Sequence, residues 1–230
     1  PEHPIETSET DDLIALDNGL LRFTVRKRGF NFIDSLTAGD RQIIAPGSGK
    51  GAYAETSDGI LCWSANDDAA EVRLEDAGPM LAVVRAEGWH KPDGAAAKDK
   101  GFCKFVVRIY AYADVPYLKV QHTWINTEDS EKTSYGAFGL FLPGGDAPKG
   151  FPSMENGSVS LLVKDWERSE LLTTRPGAGT HRLPVSGGPA GGCFVRGPVG
   201  FGLRDFVQNY PKEIEFAPTG TWLHFWPRHA

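Results

Sequence analysis

The chain has 230 residues, 40% of them hydrophobic and 23% charged, and a formal net charge of -6. That length and composition allow a buried core in one large domain or two small ones. The acidic balance excludes a general nucleic-acid binder, which needs a basic stripe, and no basic amphipathic segment or long apolar run is offered to a membrane.

The chain opens on "PEHPIETSETDD", which lacks an apolar leader and reads as a linker over residues 1–12. "LIAL" then runs through the turn signal Asn18-Gly19 into "LLRFTV", where Leu21, Phe23 and Val25 alternate with Arg22, Thr24 and Arg26. Such period-two alternation marks a half-buried strand. "QII" follows, and then "APGSGKGAY", which imitates a phosphate-binding loop and fails the test. Ile44 stands where the first glycine belongs, and Gly51 replaces the Ser or Thr after Lys50. "SANDDAAE" gathers Asp67, Asp68 and Glu71, an oxygen-rich loop that calcium could use. Its spacing is not that of an EF-hand, and a solvated acidic loop is the simpler expectation. No metal site and no other cofactor is expected.

Further strands are expected at "MLAVVRAEGW", "FCKFVVRIYAYA", "YLKVQHTWIN", "YGAFGLFLP", "SVSLLVKD", "GCFVRG", "VGFGLRDF", "EIEFA" and "TWLHFW". "SLLVKDWERSELL" mixes helix formers with β-type residues and reads as strand, then turn. "PDGAAAKDKG" (Pro92 to Gly101) reads as a mobile hairpin loop, and "TRPGAGTHRLPVSGGPAGG" (Thr174 to Gly192) as a long Gly/Pro loop of the kind that carries function. The 27 Gly and 16 Pro cut the chain into short segments. Roughly ten to fourteen strands and no clear helix imply an all-β fold, a two-sheet antiparallel β-sandwich. Cys62, Cys103 and Cys193 are too far apart for a zinc knuckle and form at most one disulfide.

Three strands carry residues with chemistry. In "YLKVQHTWIN", Leu118, Val120, His122 and Trp124 share the more apolar face. His122 is either a core histidine or a cleft histidine that handles protons. In "FVVRIYAYA", Arg108, Tyr110 and Tyr112 share a face, which either meets solvent or holds an acidic sugar, Arg pairing with its carboxylate and Tyr stacking or donating. In "TWLHFW", Leu223 and Phe225 point one way and Trp222, His224 and Trp226 the other. That second face is too apolar for free solvent, so a sugar or another domain covers it.

"LIALDNGLLRFTVRKRGFNFIDSL" resembles the opening strands of galactose-mutarotase-like supersandwich domains. "RIYAYADVPYLKVQHTWIN", "GLRDFVQNYPKEIEF" and "LHFWPRHA" together are similar to the central β-sandwich domain of the exo-rhamnogalacturonan lyase, or YetA-like, family. The resemblance runs from about Leu13 to Pro227. It implies a supersandwich over 13–227, with 228–230 starting a linker to a C-terminal α/α toroid, and a further small N-terminal domain as partner. It also implies a secreted enzyme, extracellular or periplasmic, that cleaves an acidic, uronate-containing glycan by β-elimination. Arg108 or Arg204 would neutralise the uronate carboxylate, and His122 or Tyr135 would move the proton. Tyr110, Trp124, Trp222, His224 and Trp226 would contact sugar, and Arg228 and His229 would lie beside the cleft. Arg204 with Asp205 is equally readable as a structural ion pair. The other reading of the whole chain is a non-catalytic carbohydrate-binding or scaffolding sandwich.

Overall fold

The structure, a computed structural model, describes residues 1–94, 99–144, 157–165, 168–175, 177–184, 193–196, 198–206 and 208–229. It is an all-β antiparallel sandwich, and the described residues contain no α-helix. The chain divides into two compact units, Pro1–Tyr135 and Gly136–Ala230.

The first unit holds β1 (Glu6–Glu9), β2 (Leu13–Asp17), β3 (Leu21–Arg26), β4 (Ser35–Ala38), β5 (Arg41–Ile44), β6 (Gly51–Thr56), β7 (Leu61–Trp63), β8 (Glu71–Ala77), β9 (Leu81–Trp89), β10 (Lys91–Pro92), β11 (Lys104–Tyr112) and β12 (Leu118–Ile125). Strands β1 to β5 form a five-stranded sheet in sequence order, and a four-stranded sheet runs β12-β11-β9-β8. The expected linker over residues 1–12 contains β1, which pairs with β2 from Glu6↔Asp17 to Glu9↔Ile14. Its polar "ETSE" gives no hydrophobic alternation, so only backbone pairing defines it.

The alternation in "LRFTVR" buries Phe23 and Val25, and Ile14 and Leu16 join them from β2. Across the core, Phe105, Val107 and Ile109 of β11 are fully buried. Phe30 stacks on Phe105 with ring centroids 5.6 Å apart. Each such side chain contributes roughly 1.5–3 kcal/mol of burial. The Asn18-Gly19 turn does more than reverse the chain. Gly19 has φ +88°, open to glycine at little cost. The buried Asn18 amide donates to the carbonyls of Tyr112 (2.8 Å) and Val115 (2.9 Å), and its Oδ1 accepts from Leu21 N at 2.7 Å. One side chain thus fastens the β2–β3 turn to the β11–β12 turn.

The expected solvated acidic loop at Asp67 is a correction. Asp67 is 1% exposed and pairs with the equally buried Lys91 at 3.1 Å, while its Oδ2 accepts from Trp89 N at 2.8 Å. The carboxylate closes an internal ion pair, and buried charges persist only when paired in this way.

The second unit holds most of β13 (Tyr135–Pro143), then β14 (Ser158–Val163), β15 (Ser169–Arg175), β16 (Gly179–Pro184), β17 (Cys193–Arg196), β18 (Val199–Gly202), β19 (Lys212–Ala217) and β20 (Gly220–Trp226). Here the strand order is β13-β20-β19-β14-β15-β16, with β17 and β18 as a separate hairpin. "SLLVKDWERSELL" contributes β14 and β15, paired antiparallel, as its β-type residues require. The expected long loop over 174–192 contains β16, paired to β15 from Glu170↔Pro184 to Arg175↔Gly179. Residues 185–192, and residues 95–98 of the other expected loop, lie outside the described residues. Twenty strands among the described residues exceed the expected ten to fourteen, because three- and four-residue strands are too short to show a period.

Gly139 sets the approach of β13 to β20. A Cβ there would lie 1.9 Å from the Leu223 carbonyl oxygen. One face of β19 and β20 buries Ile214, Phe216 and Leu223. The other carries Glu213, Glu215, Trp222 and His224, through the pairs Glu213↔His224 and Glu215↔Trp222.

Candidate functional site

The register of β11 with β12 separates the candidates of the first unit. Arg108 pairs with Gln121 and Tyr110 with Lys119, so Arg108 and Tyr110 lie on the outer face. Val107 pairs with His122 and Phe105 with Trp124, which puts His122 and Trp124 on the opposite, core-directed face. Arg108 and His122 are therefore not brought together: the sheet stands between them.

Arg108 is already engaged. Its guanidinium donates to both Glu75 oxygens, at 2.6 and 3.1 Å, and Arg73 and Arg85 also approach Glu75. Tyr110 donates to Gln121 Oε1 at 3.1 Å, and Lys119 Nζ lies 5.0 Å from its ring centroid. This is a ladder of cross-strand pairs of the kind that stabilises a solvent-facing sheet.

His122 shares its sheet face with Trp124, which sits in an aromatic cluster. Trp124 meets Tyr135 edge-on at 4.7 Å, and Phe102 packs on Tyr135 at 5.4 Å. His90 is fully buried, 5.3 Å from the Phe105 ring, with Nδ1 3.2 Å from the Cys103 carbonyl oxygen. Burial pushes the His122 imidazole down to about 3, and the neighbouring His90 adds to that effect. Burial likewise holds His90 down at about 4, against the hydrogen bonds of the Cys103 and Phe102 backbone and the charge of Asp67. The Tyr135 hydroxyl, pushed up to about 12 by burial and by Cys103, donates to Asn126. The two imidazoles and the phenol stay neutral at physiological pH.

Arg204 is 92% exposed and pairs with its neighbour Asp205 at 3.4 Å. Asn209 N donates to the Asp205 carbonyl at 2.9 Å, and Lys212 Nζ caps the Asn209 carbonyl at 2.7 Å. These contacts brace the "NYP" turn.

The second unit concentrates chemistry on the Glu213 face of β19 and β20. Glu213 and Glu215, two residues apart on one strand, point the same way. His224 Nε2 donates to Glu215 Oε2 at 3.2 Å, and the Trp222 ring lies parallel to the His224 ring, 5° apart in plane at 6.1 Å. Just past β20, His229 Nδ1 donates to Glu213 Oε1 and Oε2 at 3.0 and 3.1 Å. The Arg182 guanidinium, from β16, donates to Glu170 Oε2 at 2.8 Å and to the His229 carbonyl at 3.3 and 3.4 Å. Exposure decides what each group can do. Glu213 has no exposed side-chain surface, whereas His229 is 28% exposed. Trp226 is 46% exposed.

The hydrogen bond to Glu213 raises the His229 imidazole above its ordinary value against the effect of burial. Burial opposes the charge on Glu215, yet the hydrogen bond and charge of His224, with help from Ser158, hold its carboxyl below the usual range. One ligand atom each from Glu213, Glu215 and His224 lie within 4.8 Å of one another among the described residues. Of these residues the sequence reading singled out Trp222, His224 and Trp226, and placed His229 near a cleft. It missed Glu213, Glu215 and Arg182. The "EIE" of "EIEFA" was the available signal, since alternate Glu residues on a strand share a face.

The family model described as PcRGLX-like protein central beta sandwich domain matches residues 5–143, more than half of the chain. The chain belongs to this family. It is a rhamnogalacturonan-lyase-like central β-sandwich domain. No curated protein matches the chain. In this PcRGLX-like domain the matched segment covers the first unit and β13, so the Glu213–His229 cluster lies beyond it.

Proposed function

We propose that this PcRGLX-like domain serves a secreted polysaccharide lyase that cleaves a uronate-containing, rhamnogalacturonan-like glycan by β-elimination, together with flanking domains of the same protein. The reaction needs a positive group on the uronate carboxylate, a base for the C5 proton and an acid for the leaving oxygen. The C5–H electron pair becomes the new double bond, the C4–O bond breaks, and the leaving oxygen takes up a proton.

The observation that carries the reading is the partly exposed His229 held by the buried Glu213 and by Arg182. With Nδ1 committed to Glu213, Nε2 is the nitrogen left for proton transfer. Glu213 does not touch substrate in this reading: it positions the imidazole and favours its charged form. Arg182 would pair with the uronate carboxylate, and Trp226 would offer a ring face to the sugar. Arg108 is held by both oxygens of Glu75, and Arg182 would exchange its Glu170 partner for the uronate.

The test is turnover of acidic polysaccharides by the native full-length protein, followed by the ultraviolet absorbance of the unsaturated product. Rising absorbance with rhamnogalacturonan, lost in His229→Gln, supports the reading. Tight glycan binding with no absorbance would instead establish a non-catalytic carbohydrate-binding sandwich.

A further inference from the structure

We infer that Glu213, Glu215 and His224 form a binding site for a divalent transition-metal cation of the zinc class. The ligand atoms, one from each side chain, lie within 4.8 Å of one another. A tetrahedral zinc ion with ligands at about 2.0–2.2 Å needs them about 3.3–3.6 Å apart, so the side chains must close by up to about 1.5 Å, within reach of rotation. The donors stand on two paired strands, with Glu213 directly opposite His224, so the backbone fixes their spacing before any ion arrives.

This is more than a surface cluster of acids. Glu213 is fully enclosed, and the His224 and Glu215 side chains are only 10% and 20% exposed. A nitrogen donor belongs to the set. Each ligand is also held from outside: Glu213 by His229, Glu215 by Ser158, and His224 by the parallel Trp222 ring. Outer contacts of this kind orient ligands in metal sites.

Donor chemistry selects the ion. Calcium and magnesium take oxygen ligands, so an imidazole in the set argues against both. No thiolate is present, and imidazole with carboxylate suits zinc and its neighbours. Three protein ligands leave the fourth tetrahedral position to water. Ligation through Nε2 would break the His224–Glu215 hydrogen bond and leave the imidazole proton on Nδ1. The ion would fasten β19 to β20 beneath His229. Binding itself does not depend on the lyase reading.

The experiment is calorimetric titration of the chelator-treated full chain with zinc chloride near neutral pH, without glycan. One equivalent should bind. Glu215→Gln and His224→Gln should each weaken binding by about tenfold or more. Cys193→Ser, which removes the exposed thiol, should leave it unchanged. Calcium chloride should give no matching heat. If a variant fails to fold, zinc-edge X-ray absorption of the wild-type complex decides: a nitrogen and oxygen shell with imidazole scattering supports the site. No stoichiometric binding, a sulfur shell, or affinity unchanged in both folded variants would overturn it and show a salt-bridge network only. Chain that binds zinc in a protein that does not cleave glycan would fail the lyase reading and leave the metal site standing.

Discussion

His229 Nδ1 lies 3.0 Å from Glu213 Oε1, and that carboxylate has no exposed surface. A buried acid on β19 therefore reaches a half-exposed imidazole beyond the last strand, while Arg182 holds the same residue by its carbonyl. If His229 moves the proton, His229→Gln in the full-length protein lowers kcat by about 10²–10⁴-fold, the range for a positioned acid or base. Glycan KM changes little, because Trp226 and Arg182 remain. Steady-state kinetics on soluble oligosaccharides measure both quantities.

Arg108 predicts the opposite. Its side chain is bound by Glu75, on the sheet face turned away from His122. Arg108→Ala should leave kcat/KM within about threefold of wild type, which bounds any transition-state contribution below ~1 kcal/mol. A loss of a hundredfold would return Arg108 to the substrate.

The buried imidazoles of the first unit make it acid-sensitive. His90 and His122 are held at about 4 and about 3 in the folded chain, against 6.5 when unfolded. The unfolded chain binds more protons between these values, so stability is complete above about pH 6.5 and falls as the pH drops towards 4 and 3. The loss across that window is on the order of several kcal/mol. Urea unfolding at pH 7 and pH 4.5 measures it. His122→Leu should flatten the dependence.

The Asp67–Lys91 pair is expected to be costly to break and cheap to replace. Lys91→Met leaves the Asp67 carboxylate buried without its 3.1 Å partner and should destabilise the fold by about 3–5 kcal/mol. Adding Asp67→Asn should recover part of that loss, since Asn retains an oxygen for the Trp89 N–H. Thermal unfolding of the single and double variants forms the cycle.

The fold was legible where the pattern was long. "LLRFTV", "FCKFVVRIYAYA" and "TWLHFW" alternate over enough residues to fix both strand and face, and β3, β11 and β20 follow them. The sequence also separated Arg108 from Val107 correctly, and His122 from Gln121. It could not relate the two strands to each other. Only the register, Val107↔His122, shows that Arg108 and His122 look away from one another. β1 and β16 escaped because polar "ETSE" and "GTHRLP" have no apolar period. Asp67 was misread because its partner Lys91 lies across a strand pair rather than nearby in sequence. Glu213 escaped for the same reason: its meaning depends on His224 and His229, which only strand pairing and the end of β20 bring beside it.

The central claim is that the domain serves β-elimination on a uronate glycan. The most direct measurement is the ultraviolet absorbance of the full-length protein mixed with rhamnogalacturonan, run beside His229→Gln. The account predicts a rising signal from the new double bond that collapses in the variant. Absence of any signal on every uronate-containing glycan tested, or equal rates in the two proteins, would contradict it.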